Sequence, residues 1–177
     1  MIKDHDLEGL RTYDLSLLPD ERGSFVEIYR KDWVEFLDGE EIVQANLSMS
    51  YPGIIRGWHR HLRGQIDYVY VLQGTMKIVS YDEDEKSSTF GHLVEIIASE
   101  KKLQVVRIPG HYWHTIMTIG NTPSMMIYAV SKLYDREDPD ELRKPWDDSS
   151  IIPCAINGRT DDYRAGKPWR WDYPPHK

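Results

Sequence analysis

The chain has 177 residues, with 22 lysines and arginines against 29 aspartates and glutamates, so its formal net charge at pH 7 is −7. One domain with a substantial core fits this length, and an acidic balance without a basic run argues against a nucleic-acid partner. No apolar run approaches membrane length and the N-terminus lacks an apolar signal segment. Because Cys154 is the only cysteine, no internal disulfide is possible and a cytoplasmic protein is expected.

Glycines and prolines divide the sequence into short segments, most of which have the composition of strands. The predicted strands cover residues 10–18, 24–29, 42–50, 54–59, 66–72, 75–81, 90–98, 103–108, 114–119 and 125–131. Segments 66–72 and 75–81 predict a β-hairpin around Gln73 and Gly74. Short helices are predicted at 31–37 and near 138–142. Strands spaced by about ten residues, with so few helices, predict an all-β sandwich or barrel.

Residues 150–177 differ in character from the strand series. This end of the chain carries Trp169, Trp171 and Tyr173 before two prolines. We interpret it as an extension of a single domain that spans 1–177, packing its aromatic rings on the barrel or on a neighbouring subunit. A role in lining a ligand pocket is the less favoured interpretation.

Two histidine-bearing stretches are the main candidates for a functional site. Residues 53–61 read Gly-Ile-Ile-Arg-Gly-Trp-His-Arg-His, and residues 108–114 read Ile-Pro-Gly-His-Tyr-Trp-His. Side chains two apart in a strand share a face, so His59 and His61 are expected side by side, with Trp58 and Arg60 on the opposite face. This pair alone is compatible both with a site inside a barrel and with exposed histidines on an edge strand.

The first chemistry open to inward histidines is metal binding. The spacing partly follows the metal-cupin pattern, since five residues separate Gly53 from His59 and His114 is the fifth residue after Pro109. His59, His61 and His114 would supply three imidazoles for a divalent transition metal. However, Gln65 falls where the pattern has a carboxylate and lacks its charge. We therefore expect no bound metal.

The second chemistry is acid–base catalysis. A histidine base and a tyrosine acid, Tyr128 or Tyr134, on opposite sides of a sugar could invert a carbon next to a ketone, provided that positive or hydrogen-bonding groups stabilise the enolate. The alternative for both tyrosines is a core aromatic ring with a hydrogen-bonded hydroxyl. A non-catalytic sugar-binding barrel is a third possibility.

Seven segments together resemble the dTDP-4-dehydrorhamnose 3,5-epimerase family, in the family's order and near its spacing. They are residues 20–27, 44–48, 55–59, 89–91, 108–114, 128–134 and 146–148. The resemblance covers about residues 15–150. It implies a cupin-like jelly-roll barrel, a metal-free reaction without cofactor, and a homodimer that exchanges strands. The implied substrate is a nucleotide-diphosphate 4-keto sugar, inverted at C3, C5 or both.

The resemblance also implies roles for individual residues. His59 matches the catalytic base, and Tyr128 matches the acid on the opposite face. The matches to nucleotide, diphosphate and sugar contacts are Arg22, Phe25, Glu27, Gln44, Asn46, Arg56, His114 and Tyr134. His61, where the family usually has glutamine, is placed with these substrate contacts.

Two departures from the family concern the reacting end of the pocket. Asp67 replaces a lysine that the family places near the 4-keto oxygen, and a carboxylate cannot stabilise an enolate oxygen unless it is protonated. We expect His61 or His114 to take over this role, with Asp67 holding one of them in its cationic form. The family also pairs its base with a late aspartate, for which Asp161 and Asp162 are the candidates here. A single-carbon epimerase, a different nucleotide or a different sugar would each account for these changes.

Overall fold

The computed structural model describes residues 1–173, and within them nearly all regular structure is β-strand. The strands are β1 (Ile2–Asp4), β2 (Arg11–Asp14), β3 (Leu18–Asp20), β4 (Gly23–Phe25), β5 (Gln44–Ser50), β6 (Ile55–Arg60), β7 (Ile66–Gln73), β8 (Thr75–Tyr81), β9 (His92–Ser99), β10 (Gln104–Pro109), β11 (Trp113–Ile119), β12 (Ser124–Val130), β13 (Leu142–Arg143) and β14 (Ala155–Ile156). A single helical turn, α1 (Val34–Leu37), lies between β4 and β5. The predicted all-β class is confirmed.

Two six-stranded sheets form the barrel. The first has the strand order β1-β2-β10-β7-β12-β5, and the second has the order β13-β6-β11-β8-β9-β14. Strands β3 and β4 form a separate antiparallel ribbon. Apolar residues of both sheets, such as Val69 and Val106 of the first and Ile78 and Val94 of the second, share one buried cluster. Burial of these side chains between the sheets is the main force that closes the barrel.

The predicted hairpin around Gln73 and Gly74 is wrong. Strand β7 pairs with β10 and β12, whereas β8 pairs with β9 and β11, so the chain passes from one sheet to the other at this point. Gly74 has φ +76°, and a Cβ there would lie 2.4 Å from Ser124 Oγ. A glycine between two apolar runs is compatible with a hairpin and with a crossing between sheets, because the pattern of apolar residues does not identify the partner strand.

Of the two helix predictions, the first was too long and the second was wrong. Residues 31–37 contain only the turn α1, which buries Phe36 and Leu37 and ends at Asp38 in the left-handed conformation. Near 138–142 the chain is irregular up to the strand that begins at Leu142, and Asp140 accepts hydrogen bonds from the backbone N–H groups of Leu62 and Arg63. Strand β13 follows and pairs with β6.

Strand β5 alternates as its sequence predicts, with the polar face turned inward. Leu47 and Met49 point outward and are 66% and 52% exposed. Because β5 is the last strand of its sheet, its outer face presents an apolar row beside an unpaired edge. Edges of this kind are usually covered in the native assembly.

The C-terminal extension packs on the outer face of the second sheet as far as it is described. Trp169 is buried in a cluster with Trp58 and Ile151, and Trp171 and Tyr173 pack against it. Residues 174–177, the end of the predicted extension, lie outside the described residues. Across residues 1–173, no helix has the length and apolar character needed to cross a membrane.

Candidate active site

A cavity of about 830 Å³ lies between the two sheets and collects most of the site residues that the sequence singles out. Those that line it are Gln44, Asn46, Arg56, His59, His61, Asp67, His114, Tyr128 and Tyr134. The volume is in the range of small-molecule sites in proteins. The histidines come from the second sheet or the loop after β6, and Asp67 and Tyr128 come from the first sheet. Tyr128 therefore stands on the sheet opposite the histidines, whereas Asp67 contacts them directly from that sheet.

Close strand packing brings the histidines together. His59 of β6 is paired in register with His114 of β11, and their ring centroids are 6.2 Å apart. A Cβ at Gly57 would lie 2.3 Å from Thr115 Cβ, at φ +147°, so only glycine fits beside β11 here. His61 is held by its own N–H, which donates to the Gly110 carbonyl at 2.6 Å.

His59 has a carboxylate partner that the sequence did not reveal. Its Nε2 lies 3.2 Å from Glu141 Oε1, and Arg143 donates to both oxygens of Glu141 at 3.1 Å. Pairing of β13 with β6 places Glu141 at this position. Burial, followed by the charge of His114, lowers the pKa of His59 to about 4 despite the opposing effect of Glu141. At neutral pH the imidazole is therefore neutral and can accept a proton.

Asp67 lies inside the cavity between His61 and His114 and is only 8% exposed. Its Oδ2 is 3.2 Å from His114 Nε2 and 3.7 Å from His61 Nε2, and its Oδ1 accepts a hydrogen bond from Gln65 Nε2 at 2.7 Å. Burial alone would raise the pKa of Asp67, but hydrogen bonds with His114 and His61 lower it overall. Asp67 is thus an ionised carboxylate.

The protons of the two imidazoles follow from their other contacts. His114 Nδ1 lies 3.0 Å from the Tyr112 carbonyl oxygen, and His61 Nδ1 contacts the carbonyl of Asp140. A carbonyl oxygen only accepts hydrogen bonds, so each Nδ1 carries a proton. His114 Nε2 then faces Asp67, whereas His61 Nε2 lies 3.2 Å from the side-chain nitrogen of Gln65. Burial lowers the pKa of His61, but the hydrogen bond and charge of Asp67 outweigh it and raise that pKa overall.

Tyr128 stands on the facing wall. Burial, followed by the negative charge of Asp67, raises the pKa of its hydroxyl above the ordinary value, so the group is protonated at neutral pH and able to donate. Near it, Gln44 accepts a hydrogen bond from the Tyr134 backbone N–H at 3.0 Å and donates to Asn46 at 2.9 Å. These contacts fix a polar rim around the cavity.

Several predicted residues do not reach the cavity of their own chain. Arg22 and Phe25, on the β3–β4 ribbon, are exposed, and Arg22 pairs with Asp20 at 2.5 Å. Glu27 pairs with Arg30 at 2.8 Å outside the cavity.

The two aspartates considered as partners of His59 also lie elsewhere. Asp161 is 3.2 Å from Arg159, and Asp162 is 2.9 Å from Arg164 in the C-terminal extension. Neither lines the cavity, and the position beside His59 is taken by Glu141.

The fold is a jelly-roll barrel whose cavity holds a neutral imidazole on one wall and a protonated tyrosine on the other, and this pair defines an enzyme class that removes and returns protons. Comparison with known proteins gives the family. The sequence profile of dTDP-4-dehydrorhamnose 3,5-epimerase matches residues 4–155. The chain belongs to this family of nucleotide-sugar isomerases.

The most informative relatives are biosynthetic proteins. The chain is 44% identical over 143 residues to the probable low-salt glycan biosynthesis epimerase Agl13 of Haloferax volcanii, covering 81% of this chain and 88% of that protein. It is 35% identical over 145 residues to the spore coat polysaccharide biosynthesis protein SpsL of Bacillus subtilis, covering 82% and 93%. Among solved structures, the epimerase RmlC of Legionella pneumophila in complex with dTDP-4-keto-L-rhamnose matches with a TM-score of 0.74 and 27% identity, covering 82% of this chain and 78% of that one.

Proposed function

We propose that the protein is an epimerase of a nucleotide-diphosphate 4-keto sugar and inverts C3, C5 or both. The observation that carries this proposal is that His59 and Tyr128 enter one cavity from facing sheets. A ketone makes the neighbouring C–H acidic, and inversion needs a base on one face of the sugar and an acid on the other. Family membership supports the same chemistry.

In the proposed reaction, His59 takes the proton from the carbon next to the ketone with Nδ1, because its Nε2 donates to Glu141, and the electron pair moves to the 4-keto oxygen. The Tyr128 hydroxyl then donates a proton to the opposite face of that carbon. His59 returns its proton to solvent and Tyr128 regains one, so the reaction is a net isomerisation. Glu141 orients His59 and stabilises the imidazolium that forms, as carboxylates do beside catalytic histidines.

The developing enolate needs a positive or hydrogen-bonding group within reach of its oxygen. The cluster of His61, Asp67 and His114 occupies the wall beside His59, with ring centroids of His61 and His114 5.4 Å apart. We infer that this cluster replaces the lysine of the family. One cationic imidazole beside Asp67 offsets the charge of the carboxylate, and Asp67 raises the pKa of His61 in this direction.

We also propose that the working unit is a homodimer. Arg22, Phe25 and Glu27 are exposed away from the cavity of their own chain, while their chemistry suits phosphate and base recognition. The apolar outer row of β5, with Leu47 and Met49, is a surface that contact with a second chain would bury. In the proposed dimer, the β3–β4 ribbon of each chain completes the nucleotide site of the other.

A cytoplasmic setting is part of the proposal. Cys154 is a free, exposed thiol, and such thiols persist in reducing compartments.

Incubation with dTDP-4-keto-L-rhamnose in deuterium oxide, followed by NMR, tests the proposed function. Deuterium entering at C3 or C5 supports it and identifies the carbon that is activated. If no 4-keto nucleotide sugar, with dTDP or UDP as the carrier, exchanges a proton, the barrel is a binding protein and the proposal fails.

A further inference from the structure

We propose that a cluster of charged and aromatic side chains on the outer face of the second sheet positions Glu141 against His59. This outer-face cluster consists of Arg60, Glu83, Trp113 and Lys144. None of the four lines the cavity, so they are positioning residues that act on the reaction through Glu141. Their effect on the reaction rests on the proposed function, whereas the attachment of the Glu141 segment to the sheet does not.

The strand next to Glu141 has little packing of its own. Strand β13 has two residues, stands at the edge of its sheet and pairs with β6. Both of its side chains, Leu142 and Arg143, are exposed. The pairing continues to Lys144, whose N–H donates to the Trp58 carbonyl at 3.1 Å and whose carbonyl accepts from the Trp58 N–H at 3.3 Å. A short edge strand of this kind depends on side-chain contacts to keep its register.

Strand alternation places Lys144 and Glu141 on opposite faces of the sheet. Lys144 lies opposite Trp58, whose ring is buried with Trp113 on the outer face. Side chains directly opposite in an antiparallel pair share a face, and the faces alternate along each strand. Glu141, three residues earlier, points to the inner face, where its Oε1 lies 3.2 Å from His59 Nε2. Contacts that hold Lys144 outside therefore fix Glu141 inside.

Lys144 is held by polar and aromatic contacts on the outer face. Its ammonium group pairs with Glu83 Oε1 and lies 4.9 Å from the centre of the Trp113 ring. It also donates to Ser150 Oγ at 3.3 Å. Because only 18% of the Lys144 side chain is exposed, the ion pair and the cation–π contact are less screened than those at an open surface.

Glu83 links Lys144 to the strand that carries His114. Its Oε2 accepts a hydrogen bond from Trp113 Nε1 at 2.7 Å, and Trp113 directly precedes His114 in β11. The guanidinium of Arg60 lies 5.1 Å from the centre of the same ring, and its Nη1 is 3.8 Å from Glu83 Oε2. The outer-face cluster thereby joins β6, β11 and the residue after β13, behind the histidines of the cavity.

A second attachment lies on the other side of Glu141. The carboxylate of Asp140 accepts hydrogen bonds from the backbone N–H groups of Leu62 and Arg63 at 2.9 and 2.8 Å. Glu141 therefore stands between two attached residues, Asp140 and Lys144. Loss of the Lys144 contacts would free the segment on one side only, so we expect a partial loss of activity in a folded protein.

Lys144→Met tests the proposal, because it keeps most of the length of the side chain and removes its charge. We expect kcat to fall by about 5- to 20-fold with KM unchanged, since Glu141 is displaced while the substrate contacts stay in place. Lys144→Arg keeps the charge and should retain most of the parent kcat. A loss in Lys144→Arg as large as that in Lys144→Met would overturn the proposal.

Lys77→Met is the matched control. Lys77 also forms an ion pair on the second sheet, with Glu95 at 3.2 Å, and 20% of its side chain is exposed. It belongs to β8, which does not pair with β13. The kcat and KM of Lys77→Met should therefore equal those of the parent enzyme.

A double-mutant cycle distinguishes positioning from a general effect on stability. If Lys144 acts through Glu141, the variant that combines Lys144→Met with Glu141→Gln should have the kcat of Glu141→Gln alone. Multiplied losses in the double variant would show that Lys144 acts by another route and would overturn the proposal. A parent-like kcat in Lys144→Met would overturn it as well.

Amide hydrogen–deuterium exchange separates this proposal from the proposed function. The backbone of residues 141–146 should exchange faster in Lys144→Met than in the parent protein, and at the parent rate in Lys77→Met. Faster amide exchange in Lys144→Met, in a protein whose parent form turns over no 4-keto nucleotide sugar, keeps the attachment and rejects the epimerase. Unchanged amide exchange in Lys144→Met, with an active parent, rejects the attachment and keeps the epimerase.

Discussion

At the scale of single residues, the surroundings of three side chains, those of His59, Asp67 and Tyr128, give each a different protonation state. His59 is partly buried and neutral, with a carboxylate at its Nε2. Asp67 is buried and ionised between two imidazoles, and Tyr128 remains protonated. Groups whose environments push their pKa values apart are the usual basis of acid–base assignments.

Glu141→Gln should lower kcat by about 10- to 100-fold with little change in KM, because the amide cannot stabilise the imidazolium that forms on His59. Glu141→Asp should restore part of the lost rate. Steady-state kinetics with melting temperatures would measure both. Asp161→Asn is the control, because Asp161 is an exposed carboxylate paired with Arg159. Its kcat and KM should match those of the parent enzyme. An unchanged kcat in Glu141→Gln would remove Glu141 from the mechanism.

At the scale of elements, the approach of β6 to β11 determines where His59 lies. Gly57→Ala would place a Cβ 2.3 Å from Thr115 Cβ at a positive φ. We expect a loss of about 2–4 kcal/mol in the free energy of unfolding, from overpacking and backbone strain together.

Gly53→Ala provides the comparison in the same segment. Gly53 also has a positive φ, but nothing lies within 4 Å of its added Cβ, so the cost should be about 1 kcal/mol. Urea unfolding of both variants checks the difference. An equal loss of unfolding free energy in the two variants would show that the close contact with β11 adds no cost at Gly57.

The β3–β4 ribbon is the element that the proposed dimer exchanges. Arg22→Ala and His59→Asn should each be nearly inactive alone. If Arg22 acts on the partner's cavity, mixing the two variants under conditions of subunit exchange restores one intact site per mixed dimer. The activity of the mixture shows whether Arg22 acts in the partner's cavity, and light scattering confirms the oligomeric state. A mixture as inactive as its components would place Arg22 outside the partner's site.

At the scale of the whole molecule, the sequence predicted the fold class correctly but not all of the connections between strands. Regular strand spacing predicted the all-β class, and the resemblance predicted the jelly roll. The connection at Gly74 was wrong, because an apolar strand with a glycine turn contains no information about which sheet its partner joins. Strand β13 was missed for a related reason, since two residues carry no periodic pattern.

The candidate site was predictable where it lies on regular strands. His59, His114 and Tyr128 share a cavity as the motifs suggested, and Asp67 lies beside a histidine as expected from its place in the family pattern. Glu141 was not found, because it lies in an irregular, charged segment that reaches His59 only through pairing of β13 with β6. The positions of Arg22 and Phe25 relative to the substrate depend on a second chain, which one sequence does not describe.

The most direct measurement of the central claim compares proton exchange with inversion in two variants on the same 4-keto nucleotide sugar in deuterium oxide. His59→Asn should lose both exchange and inversion while still binding the nucleotide, because the base acts on the reacting carbon. Tyr128→Phe should continue to exchange at that carbon with retention, since His59 still removes and returns the proton, while inversion falls by about 100-fold or more. Exchange at the parent rate in His59→Asn, or inversion at the parent rate in Tyr128→Phe, would contradict the two-wall mechanism.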